Sequence, residues 1–106
     1  MFIKEEDWQL FRKRLPLWQS AYIKRLNNEY IEILKGEGDE AEKFWRLEQR
    51  IREDIKSSGV CVRMARSKMM LNLVALLKDD VIELSDLKGF SEEVIETVKW
   101  LSRDIK

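Results

Sequence analysis

The spacing of apolar residues in the first third of the chain is the feature that most constrains its fold. Apolar or aromatic side chains recur three or four positions apart, which places them on one side of an α-helix: Trp8, Phe11, Leu15, Trp18, Tyr22, Leu26, Tyr30 and Ile33. Pro16 lies inside this stretch, yet the spacing keeps its phase on both sides of it. We therefore predict one long helix over residues 5–35, kinked near Pro16. The alternative is a short helix followed by a second one with Pro16 at its first position.

The rest of the chain is also predicted to be helical. Glycines end the first helix at residues 36–38, and residues 40–56 then carry an apolar stripe made of Phe44, Leu47, Ile51 and Ile55. Residues 60–78 are apolar on most sides, which is typical of a buried central helix. A short helical turn near 85–89 and a last helix over 91–104 complete the pattern. We predict an all-α fold, a compact bundle of four main helices that forms a single domain over residues 1–106.

The residue types present exclude most catalytic designs. Among 106 residues there is no His and one Cys, Cys61, so a Cys/His zinc site, a Ser-His or Cys-His nucleophile pair and an internal disulfide are all excluded. Cys61 is flanked by Val60 and Val62, and we predict a buried structural thiol. The sequence therefore predicts a protein that is not an enzyme, with no catalytic residue, no cofactor and no metal.

Charge is balanced in total but not along the chain. The 20 Lys and Arg equal the 20 Asp and Glu, yet residues 1–78 carry a net charge of +4 and residues 79–106 a net charge of −4. The stretch 55–78 contains basic residues and no acidic one. Two interpretations remain open: the basic residues pair with the acidic C-terminal segment of the same molecule, or they bind an external anion.

Two groups of residues are candidates for contact with a partner. The basic candidates lie on the second and third predicted helices, where members of a pair three or four positions apart project together: Arg46, Arg50, Arg63, Arg66 and Lys68. The aromatic candidates are Trp18, Trp45 and Trp100, because tryptophan often anchors interfaces. The first helix spans about 45 Å and is longer than the helices that could cover it, so part of its apolar side is free to meet a second copy of the chain.

These observations favour a non-enzymatic protein–protein interaction module of unknown target. We expect a homodimer or other homo-oligomer that associates through the long first helix, or a complex with another protein. The alternative is a regulator associated with nucleic acid, which would use the basic cluster Arg63, Arg66 and Lys68 and a C-terminal segment that resembles a helix-turn-helix. Glutamates at positions 92, 93 and 96 argue against that helix reading DNA, because its N-terminal end would enter the major groove and glutamates there would repel the phosphates.

The longest uncharged stretches contain nine residues, whereas a membrane span needs about 20, and the N-terminus has no secretory pattern. We therefore expect a cytoplasmic protein without membrane contact. Three segments, KFWRLEQRI, ARSKMMLNLVALL and VIELSDLKGFSEEV, resemble a family of small uncharacterised cytosolic all-α proteins of Firmicutes-type bacteria. Some members of that family are labelled as multidrug transporters, a label that the hydropathy of this chain contradicts. The resemblance implies a bacterial cytosolic origin and adds no site residues.

Overall fold

The fold is all-α, as the sequence predicts. The computed structural model describes residues 2–103, and within them the α-helices are α1 (Glu5–Lys35), α2 (Glu40–Asp54), α3 (Ser58–Cys61), α4 (Met69–Lys78) and α5 (Glu92–Ser102). Two short 3₁₀ turns occupy Arg66–Lys68 and Leu84–Leu87. Four of the helices are the main elements of the bundle, in agreement with the predicted number. Within residues 2–103, no helix combines the length and the apolar character needed to cross a membrane.

The first helix has the predicted bounds and continues through Pro16 without a break. Phe11 and Leu15 are buried on its inner side, which is why the periodic pattern located the helix correctly. The alternative of two helices separated at Pro16 is therefore wrong. A kink at Pro16 stays a prediction.

The predicted helix over residues 60–78 is wrong. The chain forms the one-turn helix α3, passes through extended backbone at Val62 and Ala65, makes a 3₁₀ turn and only then enters α4. The reason is a tertiary contact: the Ser58 hydroxyl donates to the Ala75 carbonyl at 3.1 Å, and the Ser58 amide donates to an Asp79 carboxylate oxygen at 2.9 Å. In a continuous helix, residues 58 and 75 would lie about 25 Å apart along the axis.

Smaller differences occur at other boundaries. Helix α2 ends at Asp54 rather than at residue 56. The short turn lies at Leu84–Leu87 rather than at 85–89, because Glu83 and Asp86 close a reciprocal capping arrangement there. The last helix begins one residue later than predicted, with the Ser91 hydroxyl accepting from the Val94 amide, and the predicted end at residue 104 lies outside the described residues.

The hydrophobic core occupies one end of the molecule. It joins the N-terminal half of α1 to α4, α5 and the segment between them, through these buried side chains: Phe11, Leu15, Met69, Leu73, Leu76, Ile82, Leu87, Phe90, Val94 and Val98. The C-terminal half of α1 contributes one buried residue, Leu26, and continues away from the core with α2 packed beside it. The molecule therefore measures 53 × 27 × 21 Å, with a radius of gyration of 16.5 Å. A spherical domain of this length would have a radius of gyration of about 13 Å, so the bundle is more elongated than the predicted compact one.

Candidate protein-interaction site

The C-terminal half of α1 and helix α2 form a two-helix hairpin that extends beyond the core. Its two helices are joined through polar side chains: the Arg50 guanidinium bonds to the Glu29 carboxylate across the interface and to Asp54 at 3.0 Å on its own helix. The Tyr30 hydroxyl donates to the Asp54 carboxylate at 2.6 Å. Helix α2 thus turns a polar side toward α1.

The polar interface changes the acid–base properties of its members. Burial, followed by the hydrogen bond to Asp54, raises the pKa of Tyr30 from 10.0 to about 12. The hydrogen bond to Glu29 is the main reason that the pKa of Arg50 rises above its usual value. Both groups keep their protons at neutral pH, and their hydrogen bonds hold the two helices together.

The apolar stripe of α2 lies beside the contact with α1 and is largely open to solvent. Within α2 no residue is buried, and Phe44 and Ile55, at the two ends of the stripe, are 59% and 54% exposed. A shallow groove of about 480 Å³ runs along the stripe and is lined by Phe44, Leu47, Glu48, Ile51, Arg52 and Ile55. We call the apolar residues Phe44, Leu47, Ile51 and Ile55 the α2 face.

Helix α1 widens this surface on one side. Ile23 and Tyr30 line a second groove together with Ile51 and Ile55, so the α2 face continues onto α1. Leu34 lies four positions after Tyr30, on the same side of α1, and is also exposed. The surface therefore has the width of two helices rather than one.

The aromatic candidates lie in three different places. Trp45 borders the α2 face, with its ring perpendicular to that of Phe44 at a centroid distance of 5.0 Å, and is 62% exposed. Trp18 is half-buried against Phe11 and Phe90 at the core. Trp100 is exposed near the C-terminal end of α5, where the Arg103 guanidinium lies 3.9 Å from its ring centroid.

The basic candidates do not form the predicted cluster. Arg63 and Arg66 no longer share a helix, because the backbone between them is not α-helical. Arg66 instead donates to the Glu5 carboxylate at 2.7 Å and to the Ile3 carbonyl at 3.0 Å, which ties the 3₁₀ turn to the start of α1. Hydrogen bonds from Gln9 and then from Arg66 lower the pKa of Glu5. Lys68 is exposed at the end of the same turn.

The two candidate arginines of α2 differ in whether they already have an ion-pair partner. Arg50 is engaged at the interface with α1, whereas Arg46 is exposed and makes no ion pair within residues 2–103. Of the eight partner-binding candidates, Trp45, Arg46 and Arg50 lie on α2, and the other five lie elsewhere. The sequence analysis identifies Phe44, Leu47, Ile51 and Ile55 as the apolar stripe of this helix but does not name them as partner-binding candidates. Their spacing does not reveal their exposure, because a stripe that packs against a core has the same pattern.

The two oppositely charged segments of the chain meet, but not through ion pairs. In the part of the chain that the structure describes, every ion pair joins residues within 1–78 or within 79–106. Arg14 donates to the Asp86 and Lys88 carbonyls at 2.9 and 2.5 Å, and Arg25 donates to the Asp80 carbonyl at 2.8 Å. Polar contacts between the segments thus use these backbone carbonyls together with two carboxylates: Asp79 accepts from the Ser58 amide, and Asp7 accepts from Ser91.

The prediction that Cys61 is buried is wrong. Cys61 lies at the end of α3 and is exposed, with its Sγ 3.6 Å from the Lys56 carbonyl. The burial expected from its two valine neighbours fails because α3 ends here and the chain leaves it in an extended conformation. Among residues 2–103, no three acidic or thiol side chains come together in a way that could hold a metal ion.

Comparisons with known proteins give no family for this chain: no family model, no curated protein and no solved structure matches it. The resemblance to a bacterial family therefore stays a prediction. The exposed α2 face is the feature of the structure that bears most directly on function.

Proposed function

We propose that this chain is a non-enzymatic protein–protein interaction module, and that it binds by burying the α2 face against an α-helix of another chain. One observation carries the proposal: α2 is an amphipathic helix of 15 residues with no buried residue. An amphipathic helix of globular proteins normally buries its apolar stripe against another element. In this chain the stripe only borders α1, where Ile51 and Ile55 line a groove with Ile23, and it takes no part in the core.

The energetics favour occupation of this face. Full burial of a Leu, Ile or Phe side chain contributes about 1.5–3 kcal/mol relative to exposure. Phe44, Ile51 and Ile55 are each more than one-third exposed, and Leu47 lies between them. Because the four side chains are only partly exposed, covering them would contribute roughly 3–6 kcal/mol before the entropic cost of association is subtracted. An isolated two-helix hairpin gains nothing comparable while the face is in water.

The sequence alone suggests association through α1, whereas the exposed apolar surface lies on α2 and the adjoining side of α1. The N-terminal half of α1 is occupied by the core, whereas Ile23 in its C-terminal half lines a groove with Ile51 and Ile55 of the α2 face. Helix-on-helix packing with about 8–10 Å between axes suits a surface of this shape. The nucleic-acid alternative has less support, because Arg66 is already bonded to Glu5 and no longer projects with Arg63.

Site-specific photo-crosslinking in the producing cells tests the proposal. A photoreactive residue replaces Leu47 in one variant and Leu71 in a matched control, since Leu71 is 67% exposed on α4, away from the α2 face. We expect one discrete crosslinked species at position 47, identified by mass spectrometry with the crosslink mapped to a helix of the partner. The species should be missing at position 71 and should disappear when Ile51→Glu is added. No crosslink at position 47 above the control would refute the proposed function.

A further inference from the structure

We infer that the α-helix that covers the α2 face carries carboxylates beyond its apolar stripe, and that these carboxylates bind Arg12 and Arg63. This inference rests on the proposed function and names the chemistry of the partner at the same site. It follows from two acid-free stretches of the chain that lie next to the α2 face.

The positive charge of the chain is concentrated in two stretches. Residues 8–28 and residues 55–78 each contain five basic residues and no acidic one. The two stretches pack together, since the Gln19 side chain donates to the Val62 carbonyl at 2.9 Å. Of their ten basic residues, Arg66 is the one that forms an ion pair in the part of the chain that the structure describes. Most of this charge is therefore not neutralised by carboxylates of the same molecule.

One side of α1 joins these stretches to the α2 face. Gln19 lies seven positions after Arg12, and Ile23 lies four positions after Gln19, so the three residues share one side of the helix. Ile23 lines a groove with Ile51 and Ile55 of the α2 face. Arg12 is exposed on the same side, about 16 Å from Ile23 along the axis, which corresponds to three helical turns.

Residues 62–66 place a second arginine along the same side of α1. The two ends of this segment are held by hydrogen bonds to Gln19, at 2.9 Å, and to Glu5, at 2.7 Å. Gln19 and Glu5 lie seven positions after and before Arg12, so the segment passes alongside this residue. Arg63 belongs to the segment and is exposed. We call Arg12 and Arg63 the basic pair.

The carboxylates beside the basic pair and in the grooves already have partners. Glu5 is bonded to Arg66. Glu48 in the groove of the α2 face pairs with Arg52, and Asp54 accepts from side chains of both α1 and α2. Neither member of the basic pair forms an ion pair within residues 2–103. A carboxylate supplied by a partner therefore meets two arginines whose charge these groups do not compensate.

The occupant that fits both features is an α-helix of another protein. Its apolar stripe covers the α2 face, and its next turns pass from Ile55, at the end of that face, toward the basic pair. Arginine binds carboxylates in a bidentate geometry, and charge complementarity of this kind selects among partners. Nucleic acid also binds arginines, but its charged backbone would leave the adjoining apolar surface in water.

Binding measurements on the helix that crosslinking identifies test the inference. The probe is a synthetic peptide that spans the helix crosslinked at position 47, and calorimetric titration at low salt measures its affinity for the full chain. We expect the dissociation constant to rise at least about tenfold for Arg12→Gln with Arg63→Gln. The matched control is Lys68→Gln with Lys78→Gln, since both lysines are exposed in an acid-free stretch but lie on the 3₁₀ turn and on α4. This control should stay within about twofold of the wild type.

A second peptide shows whether carboxylates cause the effect. Its Asp and Glu residues are replaced by Asn and Gln, and we expect the wild type to bind it at least about tenfold more weakly than the original peptide. The arginine variant should bind the two peptides within about threefold of each other, because the interaction in which they differ is already lost. Circular dichroism on each variant establishes that the helices are retained.

The outcomes separate the inference from the function that it rests on. Equal affinity of the wild type and the arginine variant would overturn the inference, whereas weaker binding on Ile51→Glu would still support the proposed function. A crosslinked helix without Asp or Glu next to its apolar stripe, or a second copy of this chain crosslinked at position 47, would likewise overturn the inference and preserve the proposed function. Binding of a double-stranded DNA probe that the arginine variant loses would assign the basic pair to nucleic acid instead. No crosslinked species at position 47 would refute both.

Discussion

Asp7 shows how a single buried carboxylate fixes the relation between the two ends of the chain. It is 3% exposed in the first turn of α1, and both of its oxygens are occupied. One accepts from the Ser91 amide at 2.8 Å and the other from the Ser91 hydroxyl at 2.7 Å. Because that hydroxyl also accepts from the Val94 amide, Asp7 positions the residue that caps α5.

Removing this carboxylate should lower stability markedly. Asp7→Ala leaves the Ser91 amide without its acceptor in a buried place, which costs about 1–3 kcal/mol. Urea denaturation measures the change in the free energy of unfolding. Glu6→Ala is the control, because Glu6 lies in the same helical turn but is exposed, and its effect should stay within about 0.5 kcal/mol. Equal effects of the two substitutions would contradict the role given to Asp7.

Tyr30 makes the contact between α1 and α2 sensitive to alkaline pH. Its pKa rises from 10.0 to about 12 in the folded chain, so the folded state holds the proton more tightly than the unfolded state. The resulting stabilisation is complete below pH 10 and is lost as the pH rises from 10 to about 12. Urea denaturation across this range should show the wild type losing stability relative to Tyr30→Phe, which has no proton to release. Parallel pH profiles for the two proteins would contradict this linkage.

Gly59 marks a close approach between α3 and α1. A Cβ atom added there would lie 2.3 Å from the Tyr22 ring, so one of the two helices must move. We expect Gly59→Ala to lower the free energy of unfolding by about 1–3 kcal/mol, the usual cost of overpacking. Gly36→Ala is the matched control, since its nearest neighbour is 3.4 Å away and its φ of −64° suits alanine. A chain that tolerates both substitutions equally would contradict the close contact.

At the scale of elements, α1 tolerates a proline in its interior. Pro16 has no amide hydrogen, so the carbonyl four residues earlier, at Arg12, loses its helical partner. Pro16 is exposed, which allows water to reach this carbonyl. The helix persists because Phe11 and Leu15 are held in the core next to the proline.

Replacing this proline should stabilise the chain. Pro16→Ala restores one helical hydrogen bond and removes a steric clash, and the greater freedom of the unfolded chain offsets part of the gain. We expect the free energy of unfolding to rise by about 1–2 kcal/mol, measured by urea denaturation. Ser20→Ala, an exposed position one turn later, is the control and should change it by less than about 0.7 kcal/mol. A fall in stability on Pro16→Ala would show that the core requires a bend at this position.

The elements also show what local sequence can and cannot predict. The bounds of α1 follow from the periodic spacing of its apolar residues. The start of α5 is predicted to within one residue, because serine at position 91 is a residue type that caps the N-terminus of helices. Residues 60–78 read as one helix because apolar residues continue through Met64 and Ala65. The contacts that interrupt this helix link Ser58 to Ala75 and Asp79, which no local pattern contains. The exposure of the α2 face was not predictable either, since an apolar stripe has the same spacing whether it meets the core or a partner.

At the scale of the whole molecule, stability is distributed unequally along the long axis. The buried side chains of the core lie at one end, whereas α2 packs on α1 through Arg50, Tyr30 and Asp54 without a buried residue of its own. Surface ion pairs contribute little, typically below 1 kcal/mol each. We therefore expect the hairpin to unfold locally at a lower free energy than the elements of the core, unless its apolar face is covered.

Hydrogen exchange should reveal this difference and its dependence on association. At low protein concentration we expect the amides of α2 to exchange with an opening free energy at least about 2 kcal/mol below that of α4, because α2 has no buried residue of its own whereas α4 has three. A homodimer, which is one form of the proposed interaction, would cover the α2 face at high concentration, so the protection of α2 should rise while that of α4 stays the same. Ile51→Glu is the control, since a charge on the face should remove the concentration dependence without changing α4. If α2 were as protected as α4 at the lowest concentration, the hairpin would be stable by itself and the face would need no partner for its stability.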